Sequence, residues 1–183
     1  GDERDVSQDH VESNLRMAQR SLLDHVPLAP QQVHPMRGDA DDLPAAAAEY
    51  ERTIRELVPA GPDGRPSFDL ILLGMGADGH VASLFPGTPA IDEAERLVTA
   101  CPVDVLGRWR ITFSFPLINA AHYVLLLVTG EDKADAVACL LEACDCQGTV
   151  REDLPAARVR PERGTLLVVL DAAAARQTGL RPA

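Results

Sequence analysis

The sequence predicts a single α/β domain over residues 1–183, built on a doubly wound, mainly parallel sheet flanked by helices. Three observations predict it. Short apolar runs bounded by turn residues, such as Phe68-Asp69-Leu70-Ile71-Leu72-Leu73, read as strands covered on both faces. Strand, turn and helix then recur along the chain with short connections. No repeat period or linker interrupts a length of 183 residues, which suits one domain.

From Ser13 to about His25, Leu15, Ala18, Leu22 and Leu23 recur at helical spacing behind a Ser13 cap, and Pro27 and Pro30 stop the run. A second helix begins near Pro44, carries Ala47, Tyr50, Ile54 and Leu57 on one face, and ends at Pro59-Ala60-Gly61-Pro62. The strand from Phe68 to Leu73 runs straight into Gly74-Met75-Gly76-Ala77-Asp78-Gly79-His80. Arg96 to Ala100 reads as a short strand, and Arg110 to Phe115 alternates as a half-buried one. Tyr123 to Val128 is a buried strand ending in Thr129-Gly130-Glu131-Asp132-Lys133, after which Ala134, Val137, Ala138 and Leu141 mark a helix. Thr165 to Leu170 is the last strand. Asp171 follows as the N-cap of a short helix from Ala172 to Ala175, with Gly179 as its stop.

An apolar fraction of 46% supplies a core and sets disorder aside. The 28 acidic residues against 17 basic ones give a net charge of −11, which argues against nonspecific binding to nucleic acid or anionic lipid. No apolar run approaches the roughly 20 residues needed to span a bilayer. The expectation is a soluble protein, a monomer or weak homo-oligomer, with no nucleic-acid or membrane partner. Among the basic residues Lys133 is the one lysine. Cys101, Cys139, Cys144 and Cys146 do not form the dense framework of a small secreted domain, so a reduced, cytoplasmic setting is expected. The spacing C-x4-C-x-C lacks the paired C-x-x-C of common zinc sites, and no metal is expected. Gly1 stands where an initiator Met would, so the natural N-terminus is expected to lie upstream.

In open α/β sheets ligands sit at the carboxyl ends of strands, which directs attention to the loops after Leu73 and Val128. Gly74, Gly76 and Gly79 spell G-x-G-x-x-G directly after a strand. A dinucleotide site also needs a long following helix and an acid at the end of the next strand. Here Pro86-Gly87-Thr88-Pro89 breaks the helix, and Asp92, Glu93 and Glu95 lie in a polar stretch before the next strand. What remains is a glycine loop suited to an anion or oxyanion, with Asp78 and His80 at its end. An imidazole titrating near neutrality, with a carboxylate to orient it, suits general base catalysis.

The segment Phe68 to Gly87, with GMGADGHVASLFPG at its core, resembles the signature of the 6-phosphogluconolactonases, which belong with the glucosamine-6-phosphate deaminases in one sugar-phosphate superfamily. The resemblance covers nearly the whole chain. Asp2-Glu3-Arg4 and Ser13-Asn14 are similar to the family's D-E-R segment and S-N helix start. Val33-His34-Pro35-Met36, Arg110-Ile111-Thr112, Asn119-Ala120-Ala121, Gly130-x-x-Lys133-Ala134 and Leu170-Asp171 fit later motifs. Family members carry strands and a glycine-rich phosphate loop ahead of D-E-R, so the resemblance implies a chain that enters the fold part-way. An early strand edge would then be left open.

The resemblance implies hydrolysis of 6-phospho-D-glucono-1,5-lactone in the oxidative pentose phosphate pathway, without metal or organic cofactor. His80 would be the base and Asp78 its orienting partner. The N–H groups around Gly76 and Gly79 would meet the oxyanion, and Asp2, Arg4, Asn14, Arg110 and Lys133 would bind substrate. The alternatives are a deaminase or isomerase on the same scaffold and a noncatalytic sugar-phosphate binder. The deaminases place a catalytic Glu before the proline that follows the loop, where Phe85 stands here.

Overall fold

The computed structural model describes residues 1–103, 107–145 and 153–180. Its strands form two sheets. β1 (Asp2–Arg4), β4 (Arg108–Phe113) and β3 (Val98–Val103) make an antiparallel sheet in the order β1-β4-β3. β2 (Leu70–Gly74), β5 (Tyr123–Val128) and β6 (Thr165–Leu170) make a parallel sheet in the order β2-β5-β6. The expected α/β architecture with parallel strands is present, and the parallel pairing is confined to these last three strands.

Four α-helices accompany them among the described residues: α1 (Asn14–Ser21), α2 (Leu43–Leu57), α3 (Phe115–Ile118) and α4 (Ala134–Asp145). Ser13 caps α1 as expected, its side chain accepting from the Arg16 N–H. The run expected to continue to His25 breaks at Leu22 and resumes as a 3-10 turn, Leu23–His25. Asp42 caps α2 by accepting from the Ala45 N–H, and Pro44 sits in its first turn. This helix lies against β3 and β4. The Glu51 carboxylate on α2 accepts the N–H groups of Leu97 and Val98 at 2.8 and 3.3 Å, so the helix also holds the start of β3.

Two expectations are corrected. The strands of the parallel sheet were expected to be covered on both faces, but among the described residues only one face is. Ile71, Leu73, Val124, Leu126 and Val128 are buried, whereas the alternate side chains Leu70, Leu72, Tyr123, Leu127, Leu167 and Val169 are 46% to 51% exposed. Side chains alternate across a strand, and no described segment packs on that second face. The expected helix at Ala172 to Ala175 is a series of turns. Asp171 does cap it, its Oδ1 accepting from Ala174 N–H at 2.7 Å. The same carboxylate also takes the Gly130 N–H, so it clamps the loop after β5 to the end of β6. Of the cysteines, Cys101 is a buried free thiol, Cys139 is a free thiol, and Cys146 lies outside the described residues. Among the described residues no group of side chains could hold a metal ion, and no helix is long and apolar enough to cross a membrane.

Glu3 ties the first strand to the first helix. It is buried, and its Oε1 accepts the N–H groups of Arg4 and Asn14 while its Oε2 accepts Ser13 Oγ and the Leu15 N–H. A carboxylate satisfying donors at a helix N-terminus is favoured by both charge and hydrogen bonding. Glu3→Gln puts an amide NH2 against those donors. We expect it to lower the unfolding free energy by about 2 kcal/mol in urea titration, with the m-value unchanged.

Candidate active site

The glycine loop leaves β2 at the carboxyl end of the parallel sheet, and its shape is set by its own hydrogen bonds. Gly76 N–H donates to the His80 carbonyl at 2.9 Å, and Gly79 N–H donates to the Gly76 carbonyl at 3.0 Å. The loop therefore folds back on itself and presents His80 beside Asp78. His80 Nδ1 lies 2.6 Å from Asp78 Oδ1, and the same oxygen accepts the His80 N–H at 3.2 Å. The ring also stacks on Phe85, with centroids 4.0 Å apart. Imidazole orientation is thus fixed on two sides.

Glycine is required at both turning points. A Cβ on Gly76 would lie 2.1 Å from His80 Nδ1 and 2.6 Å from Asp78 Oδ1. Gly79 has φ +79, and a Cβ there would meet Leu154 Cδ1 at 2.2 Å. Its carbonyl accepts the Ala156 N–H at 2.9 Å, which fastens the loop to the turn Pro155–Arg158. One expectation is revised here: the N–H groups of Gly76 and Gly79 are engaged inside the loop, so neither is free to receive an oxyanion. What these positions require is the absence of a Cβ.

Asp78 is half exposed. Partial burial pushes its carboxyl up, but the hydrogen bonds from the His80 ring and backbone N–H, with the charge of the imidazole, outweigh this and hold it below the usual carboxylate range. It stays ionised near neutrality. With Nδ1–H donated to Asp78, Nε2 is the nitrogen left to accept a proton.

The antiparallel sheet supplies the cations. Arg4 and Arg110 are directly opposed in the β1–β4 register, so both side chains leave the same face. Like charges in opposed positions repel, and burial makes this worse. Arg110 is 7% exposed, and its guanidinium donates to the Trp109 carbonyl at 3.1 Å. Among the described residues it has no ion pair. Burial, then the neighbouring Arg4 charge, pushes its pKa down, with Asp2 opposing. Arg4 donates to Asn14 Oδ1 at 2.9 Å and to the Glu12 carbonyl, while Asn14 Nδ2 donates to the Asp2 carbonyl at 2.9 Å. Asp2, Arg4, Asn14 and Arg110 therefore form one cluster.

Lys133 stands apart from it. It lies in the loop after β5, the strand beside β2, and its ammonium contacts the adjacent Asp132. Among the described residues no hydrogen bond joins Lys133 to the histidine loop or the arginine cluster. An open cleft of about 240 Å3 is lined by Asp2 and Asn14 together with Tyr50, His34 and Phe113, and it does not include His80, Arg110 or Lys133. The motifs had not singled out Ser83, whose Oγ donates to Asp2 Oδ2 at 2.7 Å and joins the loop to the cluster.

Comparison with known proteins bears on this arrangement. The family described as glucosamine-6-phosphate isomerases/6-phosphogluconolactonase matches residues 1–168. The chain is 41% identical over 171 residues to the 6-phosphogluconolactonase of Synechocystis sp., a match covering 93% of this chain and 68% of that protein. It is 46% identical over 152 residues to that of Mycobacterium tuberculosis, covering 79% of this chain and 60% of the relative. The chain thus spans from 60% to 68% of the length of these relatives. Among solved structures, 6-phosphogluconolactonase from Trypanosoma brucei superposes with a TM-score of 0.76 at 30% identity, over 96% of this chain and 72% of the other. A monomeric glucosamine-6-phosphate deaminase gives 0.76 at 26% identity, over 96% and 72%. The chain belongs to the glucosamine-6-phosphate isomerase/6-phosphogluconolactonase family.

Proposed function

We propose that this chain carries the hydrolysis of 6-phospho-D-glucono-1,5-lactone to 6-phospho-D-gluconate. The observation that carries the reading is the 2.6 Å contact between Asp78 and His80 Nδ1 at the tip of the glycine loop. His80 Nε2 takes a proton from water as the oxygen attacks the lactone carbonyl carbon. The resulting tetrahedral oxyanion collapses, the bond from that carbon to the ring oxygen breaks, and the imidazolium returns its proton to the departing ring oxygen. Asp78 stabilises the imidazolium between these two transfers. Its depressed pKa suits that role, because it remains an anion while the ring is charged. In this reading Arg4 and Arg110, and Lys133 from the separate loop after β5, supply positive charge for the phosphate and the developing oxyanion.

Phe85 supports the lactonase over an amino-sugar isomerase. It occupies the place where the resembling deaminases have a carboxylate, and here its ring packs against His80. Ring opening and proton shuttling between carbons would lack their acid at that point.

The direct test measures 6-phosphogluconate formation from fresh lactone against spontaneous hydrolysis. We expect His80→Ala to lower kcat by about 100- to 10,000-fold with the fold retained; a folded variant with near-native turnover would remove His80 from the base role. Lys133→Ala should raise KM about tenfold, roughly 1.4 kcal/mol of binding, and an unchanged KM would place Lys133 outside the substrate site. The Asp78 pair predicts a stability effect with a definite sign. Because its folded pKa is depressed, its contribution is present above the usual carboxylate value and is lost as pH falls through the folded one. The urea midpoints of wild type and Asp78→Asn should therefore converge on acidification, and a gap that stays constant would sever the link to this carboxylate.

A further inference from the structure

The segment following His80 carries a buried hydroxyl that the hydrolytic steps do not use. Ser83 is 1% exposed. Its Oγ donates to Asp2 Oδ2 at 2.7 Å, and its N–H donates to Thr112 Oγ1 at 3.1 Å. The Thr112 hydroxyl in turn donates to the Phe113 carbonyl at 3.0 Å. Asp2 and Thr112 are opposed partners in the β1–β4 register, so one serine grips both strands at a single rung. The rung of Arg4 and Arg110 lies two residues along on the same face. Between His80 and Ser83 the backbone is constrained further. Val81 forms bridges to Met75 and Leu84. Ala82 has φ +50, and among the described residues it is the non-glycine residue with positive φ. An L-residue holds that conformation only where its surroundings over-determine it.

We propose that Ser83 is a positioning residue that, through Asp2 and Thr112, fixes the His80 loop against the Arg4–Arg110 rung and so sets the separation between base and anion-binding cations. The inference rests on the lactonase reading above. Its physical ground is the substrate itself, which carries the reacting carbonyl at one end of a six-carbon chain and the phosphate at the other. Base and cations must then stand at one fixed separation, because a misplacement on the order of 1 Å costs about a hundredfold in rate. Asp2 thereby acts through Ser83.

Ser83→Ala removes the hydroxyl and leaves the backbone bond to Thr112 in place. We expect kcat/KM for the lactone to fall about ten- to a hundredfold, with kcat itself reduced, in assays run well below the melting temperature. The acid limb of the pH profile should stay where it is, because the Asp78–His80 pair is untouched. Asp2→Ala should cost a similar factor, and the double variant should be no worse than the poorer single one. Amide exchange from Met75 to Leu84 should quicken by about tenfold while β5 stays protected, a readout that needs no turnover. Should Ser83→Ala fail to fold, Ser83→Cys keeps the side-chain shape with a somewhat larger atom and a weaker donor, and should show a smaller loss of the same kind. Wild-type kcat in a folded Ser83 variant, additive losses in the double variant, or unchanged loop exchange would each overturn the positioning role. Wild-type protein without turnover above spontaneous hydrolysis would instead overturn the lactonase reading, leaving the exchange measurement to decide on Ser83.

Discussion

Asp2, Thr112 and Arg110 project from one face of the antiparallel sheet, and a polar face taken out of water must find its partners inside the protein. Thr112 is fully buried and Arg110 nearly so. The opposite face carries Ile111 and Val98 and is covered by α2. Partners for the polar face come from the loop after β2, where the Ser83 N–H and hydroxyl are both directed at it. This junction is what relates the two sheets at the site. A parallel sheet aims its loops from the carboxyl ends of its strands, and here the loop also meets a surface of fixed register. His80 and the cationic cluster come from different sheets, so their relation depends on it.

Within the loop, order is obtained by using up donors. The Gly76 and Gly79 N–H groups close the turn, and the space left by two missing side chains is filled by the His80 ring and by Leu154. Such a loop is stiff. It sets the direction of one imidazole at the cost of presenting fewer free N–H groups to an anion. In the proposed reaction, negative charge would then have to be met by side chains on the neighbouring strands and loops. Arg110 is one such side chain, buried and without an ion pair among the described residues.

Much of this was legible in the sequence, and for identifiable reasons. The strands at Tyr123 and Thr165, and the helix beginning near Pro44, announce themselves through unbroken apolar runs, helical spacing and a proline in the first turn. The Asp78–His80 pair was legible because two residues at the end of a glycine loop have little freedom to separate. The bare face of the parallel sheet was not. An apolar run reads identically whether its second face is covered or open, since covering depends on what else packs there. The pairing direction of β1, β3 and β4 was equally hidden, being set by contacts distant in sequence. Ser83 escaped notice because a serine in a motif does not reveal that its hydroxyl meets a carboxylate 81 positions away.

Net charge and local charge pull in opposite directions in this molecule. At −11 the protein as a whole repels an anionic sugar phosphate, but at ordinary ionic strength that repulsion is screened beyond roughly 10 Å. What an anion meets inside that distance decides binding. Arg110 has already lost most of its hydration, and its pKa is depressed by burial and by Arg4. A bound phosphate would relieve both penalties at once, by pairing the guanidinium and by separating two like charges with an opposite one. An anion bound there would recover part of the free energy that burial and the neighbouring like charge cost Arg110. Such a ligand stabilises the fold by mass action as it binds. An acidic protein could in this way favour an anion locally, because the strand register sets Arg4 and Arg110 side by side on one face.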